Sequence, residues 1–375
     1  MRPFFRDLGI TRVARQTGLD CIGIPCFAAI RPNAATLAVN QGKGTDDDAA
    51  EASAVMEAAE YCIAEAPEVE TRYLSPAEAE AAGFTCLDVR HLLPPDAPPF
   101  GERKIHWVEG LAPGSGDTIL VPYDAAVIGG DPRDLPHLSR STNGLASGNC
   151  ADEAIFHGLC ELVERDAASL WVFKSDSGMR GSAVAPEAFG DAEVDRLIGQ
   201  IRAARLRITL FDQTTNLGIP CFLAVIAPAD RKPSLHFDLA TGAGCHPVAA
   251  FAALRAITEA AQTRISNIAG ARDDFDPREY RMNLGRSLAP LAEAMPALRD
   301  VPHGASPGST LPELLAMVGG AIAARTSQPV VVVPLGGDRF GISVVKLFAP
   351  GLEDRLTNRY WRPGPRAAAA MMRFW

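Results

Sequence analysis

The pattern of apolar and polar positions divides the chain into interleaved strands and helices. Short apolar runs predict strands at residues 19–30, 36–40, 105–111, 118–123, 207–211, 219–226, 329–335 and 342–348. Longer stretches with apolar positions three or four residues apart predict helices at 46–66, 150–171, 187–205, 247–268 and 311–324. Since there is no strict strand–helix–strand repeat, we expect a mixed α+β fold, a sandwich-like α/β arrangement and not a doubly wound sheet. With no internal repeat and no linker, residues 1–375 are predicted to form one domain.

Three glycine-containing segments come directly before long predicted helices: "QGKGT", "RSTNGLASGN" and "TGAGCH". Their glycine content predicts turns. Asn149 is predicted to cap the helix that follows the second segment, with Asp152 and Glu153 in its first turn. None of the segments has the spacing of a P-loop or of a dinucleotide-binding glycine fingerprint. A nucleotide site in this chain would therefore not be of the P-loop type.

Composition excludes several classes of protein. The chain is 47% apolar over 375 residues, enough for a sizeable core. A net charge of −9 without a basic run argues against nucleic-acid binding. There is no apolar run of about 18 residues and no signal-peptide stretch, so we expect a cytoplasmic protein that does not enter the membrane. The eight cysteines and seven histidines lack zinc-site spacings, which favours reduced thiols.

The helix at 150–171 collects acids on one side. At 3.6 residues per turn, one group of polar residues falls within roughly 80° of arc: Glu153, His157, Glu161 and Glu164. Apolar residues occupy the opposite side: Ile155, Leu159, Leu162 and Val163. A solvated face is one interpretation, but such faces usually mix Lys and Arg among their acids. Here Arg165 is the base close to the stripe.

The helix at 46–66 repeats the arrangement, with Ser53, Glu57 and Glu60 at spacings of four and three. Two carboxylates about 4 Å apart repel by about 4 kcal/mol at an effective dielectric constant of about 20. Magnesium removes that cost, and it prefers carboxylate and phosphate oxygens together with water. If the two acidic faces meet, they predict a Mg²⁺–ATP site, with Lys43 or an arginine near the phosphates.

Three segments resemble the ATP motifs of the YcaO family of ATP-dependent peptide-modifying enzymes. They are "GKGTDDDAAEASAVMEAAE", "STNGLASGNCADEAIFHGLCELVERD" and "GAGCHPVAAFAALRAITEAAQTR". The second is the most specific, and the similarity extends from "GITRVARQTGLDCIGIP" to "APGLEDR". The resemblance implies a YcaO-type fold with a non-P-loop ATP site, and ATP and Mg²⁺ as cofactors.

The resemblance also implies roles for individual residues. It assigns magnesium binding to Glu57, Glu60, Glu161 and Glu164. It assigns ATP contacts to Arg12 beside Thr11, and to Ser53, Asn149, Glu153 and Arg165, in addition to the Lys43 that the charge argument provides. It assigns catalytic roles to Glu161, Glu164 and Arg165, and to Gln262 and Arg264 as phosphate neighbours. Tyr61 stands where many members have arginine, so one phosphate contact of those members is absent here or supplied elsewhere.

In the family's reaction a nucleophile adds to a peptide carbonyl, the resulting oxyanion attacks the γ-phosphate of ATP, and phosphate leaves. The nucleophile is a substrate Cys, Ser or Thr in azoline formation and external sulfide in thioamide formation; a third branch assists modification of a ribosomal protein. Azoline formers commonly end in P-x-P-x-P, whereas this chain has "RPGPRAAAAMMRFW". Azoline formers also often carry a leader-peptide-binding domain, and at this length we expect no such separate domain here.

The segment "GITRVARQTGLDCIGIPCFAAIRPNAATLAVNQGKG" is most similar to YcaO proteins paired with TfuA. The resemblance therefore favours thioamide formation on a ribosomally made peptide or protein, with a TfuA-like partner and a homodimeric enzyme. Azoline formation is the alternative reaction. A non-catalytic subunit that binds ATP and docks a partner is the alternative of another class; the retained glutamates argue against it and Tyr61 argues mildly for it.

Overall fold

The computed structural model describes residues 1–270, 272, 276–285, 288–292, 294–302, 304–326 and 328–372. Its strands, in chain order, are β1 (Arg12–Arg15), β2 (Cys26–Ile30), β3 (Val39–Lys43), β4 (Arg72–Leu74), β5 (Thr85–Cys86), β6 (Ile105–Leu111), β7 (Thr118–Pro122), β8 (Leu145–Gly148), β9 (Ala183–Val184), β10 (Leu206–Asp212), β11 (Cys221–Pro228), β12 (Ala240–Cys245), β13 (Val331–Gly336) and β14 (Ser343–Phe348). Its α-helices are α1 (Asp47–Glu65), α2 (Pro76–Ala81), α3 (Tyr123–Ala126), α4 (Ala151–Trp171), α5 (Asp176–Gly181), α6 (Ala192–Ala203), α7 (Ala249–Ala269), α8 (Ala289–Ala292), α9 (Leu311–Thr326) and α10 (Pro365–Met372).

These elements form two compact units, each built from two stretches of the chain. Unit 1 comprises Met1–Ala58 and Leu170–Ser309, and unit 2 comprises Ala59–Ser169 and the stretch that starts at Thr310. Helix α1 passes from unit 1 into unit 2, and helix α4 passes back. The single domain expected from the sequence stays a prediction.

Unit 1 contains two antiparallel sheets, one in the order β1-β2-β3 and the other in the order β12-β11-β10-β9. Helices α6 and α7 pack on the four-stranded sheet through a shared apolar core. Helix α7 presents a face of alanines to β12, and Ala252, Ala256 and Ala260 are fully buried there. Small side chains on this face allow α7 to lie very close to the strand.

Unit 2 is built on one mixed sheet in the order β5-β7-β6-β13-β14-β8, with β4 beside β6. Strand β14 is buried between β13 and β8, and its register places Lys346 opposite Leu145. Lys346 is the charged residue of β14, which is apolar at its other positions after Ser343, and the Lys346 side chain lies in the interior. The sheet thus brings a basic group into a region that hydrophobic patterning alone assigns to the core.

Glycine marks strands where the sequence predicted turns. "QGKGT" lies largely in β3, "LASG" is β8 and "TGAGC" lies in β12. A Cβ at Gly42 would lie 2.0 Å from the Ala54 nitrogen, and one at Gly242 would lie 2.1 Å from the Ala260 nitrogen. Helices α1 and α7 therefore pack backbone against backbone on these strands, which only glycine permits. Because glycine in a strand interior is unusual, the pattern indicated turns instead.

The mixed helix-and-sheet fold class is confirmed, and the long helices α1, α4 and α7 agree with prediction to within about two residues. The apolar stretch 19–30 is a strand only from Cys26. The helix predicted at 187–205 begins at Ala192, because a 3-10 turn ends at Gly190, whose φ of 58° stops the chain from continuing helically. Among the described helices, none combines the length and apolar character needed to cross a bilayer.

Candidate active site

Three of the acids singled out by the sequence, Glu57, Glu60 and Glu161, fall into two groups, one in each unit. We call Lys43, Glu57 and Glu259 the unit 1 cluster, and Glu60, Glu161 and Lys346 the unit 2 cluster. In each group two carboxylates share one lysine. Helix α1 contributes Glu57 to the first cluster and Glu60 to the second.

In the unit 1 cluster, a hydrogen bond and an ion pair leave the two carboxylates unequal. Glu57 Oε2 accepts the backbone N–H of Gln41 at 2.9 Å. Lys43 Nζ lies 2.8 Å from Glu259 Oε2, and Glu259 Oε1 accepts the N–H of Ala243 at 3.3 Å. Burial raises the pKa of Glu57 to about 7, although Lys43 and the Gln41 N–H oppose the rise. Glu57 is therefore poised between its acid and its carboxylate near neutral pH, where a cation would draw it into the ionised form.

In the unit 2 cluster, the lysine binds main-chain oxygens. Lys346 Nζ donates to the Ser141 carbonyl at 2.6 Å and to the Asn143 carbonyl at 2.7 Å. Burial lowers the pKa of Lys346 to about 8, while Glu161 and Glu60 raise it. The ammonium is thus fixed by the backbone and lies within the electrostatic reach of two carboxylates.

The carboxylates of this cluster have their own donors. Glu60 Oε2 accepts the Ser147 hydroxyl at 2.9 Å. Burial raises the pKa of Glu161, opposed by Arg165, by Lys346 and by the backbone N–H of Gly144. Arg165 Nη2 lies 3.5 Å from Glu161 Oε1, a long contact for an i, i+4 pair.

The acidic stripe of α4 is not a solvated face. The Glu161 side chain is 23% exposed, and Glu164 is buried. Leu159 and Leu162 are buried on the opposite side, as predicted. A carboxylate without a nearby cation is costly at such positions, which favours the cation-binding interpretation of the stripe.

Asn149 does not cap α4 in the way that the sequence predicted. The helix begins at Ala151, which moves the cap position to Cys150. Instead, the backbone N–H and the side-chain amide of Asn149 donate to Glu153 Oε2 at 3.0 and 2.9 Å. Glu153 thus reaches back from the first turn, as an acid at this position commonly does, and accepts both donors of Asn149.

The third motif places its two assigned residues differently within unit 1. Gln262 Oε1 is buried without a hydrogen-bond partner in the described part of the chain. Arg264 Nε donates to both carboxylate oxygens of Asp20, at 3.1 and 3.0 Å, and the Asp20 side chain is 2% exposed. Since that pair already uses the charge of Arg264, its role as a phosphate neighbour stays a prediction.

The remaining ATP candidates lie nearer the surface of unit 1. Arg12 is exposed on β1, and the Thr11 hydroxyl donates to the Ile30 carbonyl at 3.2 Å. Ser53 is partly exposed on α1. Their contacts with a nucleotide stay predictions.

Sequence reasoning missed Glu259 and Lys346. Both carried a signal, because Lys346 interrupts the apolar run "ISVVKLF" and Glu259 lies one turn before Gln262 in the third motif. Charged residues are seldom buried unless they are paired. A lysine inside a predicted buried strand therefore indicates acids nearby, although it does not say which ones.

In the described ranges, no three Asp, Glu, His or Cys side chains lie close enough to hold a metal ion alone. Magnesium at a nucleotide site usually takes one or two carboxylates and completes its shell with phosphates and water. The carboxylate oxygens of Glu57, Glu60 and Glu161 are hard donors of the kind that such an ion prefers. The assignment of all four glutamates to magnesium stays a prediction.

A model of the family described as "YcaO cyclodehydratase, ATP-ad Mg2+-binding" matches residues 41–353. The chain belongs to the YcaO family. This confirms the resemblance seen in the three motifs. Membership places the chain among ATP-dependent peptide-modifying enzymes, with ATP and Mg²⁺ as cofactors.

Relatives and solved structures extend this result. A Rhizobium leguminosarum bv. trifolii protein, described as lying in the tfuA 3′ region, is 42% identical over 98% of this chain and 89% of its own length. YcaO from Methanopyrus kandleri, solved with AMPPCP and Mg²⁺, is 20% identical with a TM-score of 0.71, over 97% of this chain and 92% of that one. A heterocyclase in complex with substrate and cofactor has a TM-score of 0.75 at 21% identity over 92% of this chain. This chain spans 50% of the heterocyclase. At such identities the two structures show the fold alone.

Proposed function

We propose that this YcaO enzyme forms thioamides in a ribosomally made peptide or protein, together with a TfuA-like partner. The observation that carries the proposal is the 42% identity to a protein of the tfuA 3′ region, across nearly the whole of both chains. The similarity of the N-terminal segment to TfuA-associated YcaO proteins supports the same branch.

In the proposed reaction, hydrosulfide adds to the carbon of a peptide amide and gives a tetrahedral oxyanion. The oxyanion attacks the γ-phosphorus of ATP, so ADP leaves and the former carbonyl oxygen becomes part of a phosphate ester. The C–O bond then breaks, inorganic phosphate departs with that oxygen, and loss of the sulfur-bound proton gives the C=S bond. Oxide is a very poor leaving group, and its phosphorylation is the purpose of the ATP.

The proposal gives the polar residues binding and orienting roles. Glu57, Glu60, Glu161 and Glu164 would hold magnesium, which when bound offsets the negative charge of the phosphates. Lys43 and Arg165 would bind phosphate oxygens. Because these groups only position and neutralise, no Ser or Cys nucleophile of the enzyme is required.

The segment Pro365–Met372 differs in structure from the tail that azoline formers commonly carry. Azoline formers commonly carry an extended P-x-P-x-P tail. Here Pro365–Met372 is a helix, and the first side chain after Pro365, Arg366, is bound to Asp166 at 2.7 Å. Azoline formation stays the second candidate, because the family description reads cyclodehydratase and a heterocyclase shares the fold.

The test is mass spectrometry of a peptide or protein encoded beside the gene, incubated with the enzyme, a TfuA-like protein, Mg²⁺–ATP and sulfide. Replacement of one oxygen by sulfur is the expected result. Loss of one water without sulfide would establish azoline formation instead. Unchanged peptide and no peptide-dependent ATP hydrolysis would favour the non-catalytic docking subunit. The proposed homodimer is checked separately by light scattering of the purified enzyme.

A further inference from the structure

Lys346 is a buried lysine to which neither the family motifs nor the proposed reaction gives a role. It lies in the middle of β14 and is 2% exposed. Its ammonium donates to the carbonyls of Ser141 and Asn143, in the turn before β8. A fully buried ammonium is costly unless it is bonded and compensated, so its position calls for acids within reach.

Three elements supply those acids. Glu60 of α1, Glu161 of α4 and Asp354 after β14 each favour the charged form of Lys346. Lys346 in turn favours the ionised form of Glu161. The hydrogen bonds of the Lys346 ammonium go to backbone carbonyls, so the backbone holds it in place. The carboxylates interact with its charge electrostatically.

The turn held by Lys346 also carries the other donors of this cluster. The backbone N–H of Gly144 favours the ionised form of Glu161. Two residues into β8, the Ser147 hydroxyl donates to Glu60. One ammonium thus fixes the segment that presents a donor to each of the two carboxylates.

We propose that Lys346 is a positioning residue of the unit 2 cluster, which fixes the turn at residues 141–143 and acts as the resident counter-charge of Glu60 and Glu161. The inference rests on the proposed function, because it takes these two glutamates as magnesium ligands. A fixed positive charge beside a cation site weakens metal binding. The same charge offsets the negative charges of Glu60 and Glu161 while no metal is bound.

The experiment measures Tm at constant ATP while MgCl₂ is varied, against a chelator reference. Lys346→Met removes the charge and the tether, Lys346→Gln removes the charge but keeps a donor for the carbonyls, and Lys346→Arg keeps the charge. Lys346→Gln should show a larger Mg²⁺-dependent rise in Tm than the wild type, and its half-maximal Mg²⁺ concentration should be lower by at least about threefold. Lys346→Met should gain less than Lys346→Gln, because it also releases the turn that leads into the donors of Glu60 and Glu161. Lys346→Arg should follow the wild type.

Lys174→Met is the matched control, because Lys174 is a partly buried lysine of unit 1 whose charged form is favoured by Asp212. Its Mg²⁺ dependence should equal that of the wild type. If both neutral Lys346 variants lose Tm equally with and without Mg²⁺, Lys346 is a structural tether and the counter-charge is overturned. If the wild type itself shows no Mg²⁺-dependent rise, the magnesium site of the proposed function fails, and the inference fails with it.

Discussion

The two acidic clusters use the same residue types in different ways. In unit 1, Lys43 binds the carboxylate of Glu259 directly at 2.8 Å, and Glu57 is left with a backbone N–H. In unit 2, Lys346 binds two carbonyls, and its charge is shared among the acids around it. The two clusters therefore differ in what their lysine binds, which is a carboxylate in unit 1 and main-chain oxygens in unit 2.

This difference shows that a lysine near two carboxylates does not by itself settle their charge. A direct ion pair satisfies one carboxylate and leaves the desolvation cost of the second only partly offset. A lysine fixed by the backbone compensates both partners weakly. We therefore expect the unit 1 cluster to respond to protons near neutral pH and the unit 2 cluster to respond chiefly to cations.

The largest expected effect is a loss of stability at Asp166, an acid of α4 that lies outside the two clusters. Asp166 is fully buried and bound by Arg366, whose side chain is 8% exposed. Arg366→Met leaves the Asp166 charge buried without its partner, so unfolding should become easier by about 3–5 kcal/mol. Urea denaturation measures the change. The exposed Arg362 of the same segment gives the control Arg362→Met, expected to stay within about 0.5 kcal/mol of the wild type.

The second effect concerns ATP turnover. Glu161→Gln replaces a magnesium ligand by a neutral amide of the same shape, and substrate-dependent ATPase should fall by about 100-fold or more. Thermal stability should stay near that of the wild type, because the carboxylate is not part of the apolar core. The control Leu159→Ala should do the reverse, with a loss of about 2–5 kcal/mol in stability and normal turnover in the folded fraction. Normal ATPase activity in the Glu161→Gln protein would mean that the acidic stripe of α4 is a polar face without a role in ATP turnover.

Part of the fold and of the candidate site could be predicted from the sequence. The acidic stripe and the apolar side of α4 follow from helical periodicity, and both were predicted. The strand character of β8 and β12 was not, because it depends on helices that approach their glycines in three dimensions. The pairing of Glu259 with Lys43 joins residues 216 positions apart, and no local pattern encodes that choice. Local rules thus identified the long helices, the longer apolar strands and most candidate acids, while tertiary contact decided which charges are compensated.

The third effect tests whether the clusters bind a metal with the nucleotide. Mg²⁺–ATP at about 100 times its dissociation constant should stabilise the protein by about 2.7 kcal/mol. ATP with a chelator should give a much smaller rise in Tm, because the carboxylates then repel the phosphates. Equal shifts in the two conditions would mean that the glutamates do not act through magnesium. Glu57→Gln and Glu161→Gln, compared side by side, show whether both clusters contribute to the metal-dependent part.

The smallest effect contrasts the clusters through pH in metal-free protein, beginning with unit 1. The pKa of Glu57 is raised from 4.5 to about 7, so the folded state holds more protons than the unfolded state between these values. Stability from this group therefore falls as pH rises through that window, by about 2 kcal/mol from about pH 5 to about pH 7. Glu57→Gln lacks the titration, so the difference in unfolding free energy between variant and wild type should grow with pH in this range.

Lys346 should give the opposite slope at higher pH. Its pKa is lowered from 10.5 to about 8, so the folded state holds fewer protons than the unfolded state between these values. Stability from this group therefore rises as pH increases through that window. Lys346→Met should lose the rise and leave the lower window unchanged, just as Glu57→Gln should leave the upper window unchanged. Urea titrations of the three proteins across both windows measure the slopes. If either variant altered both windows, the two clusters would share their protons and the contrast between them would not hold.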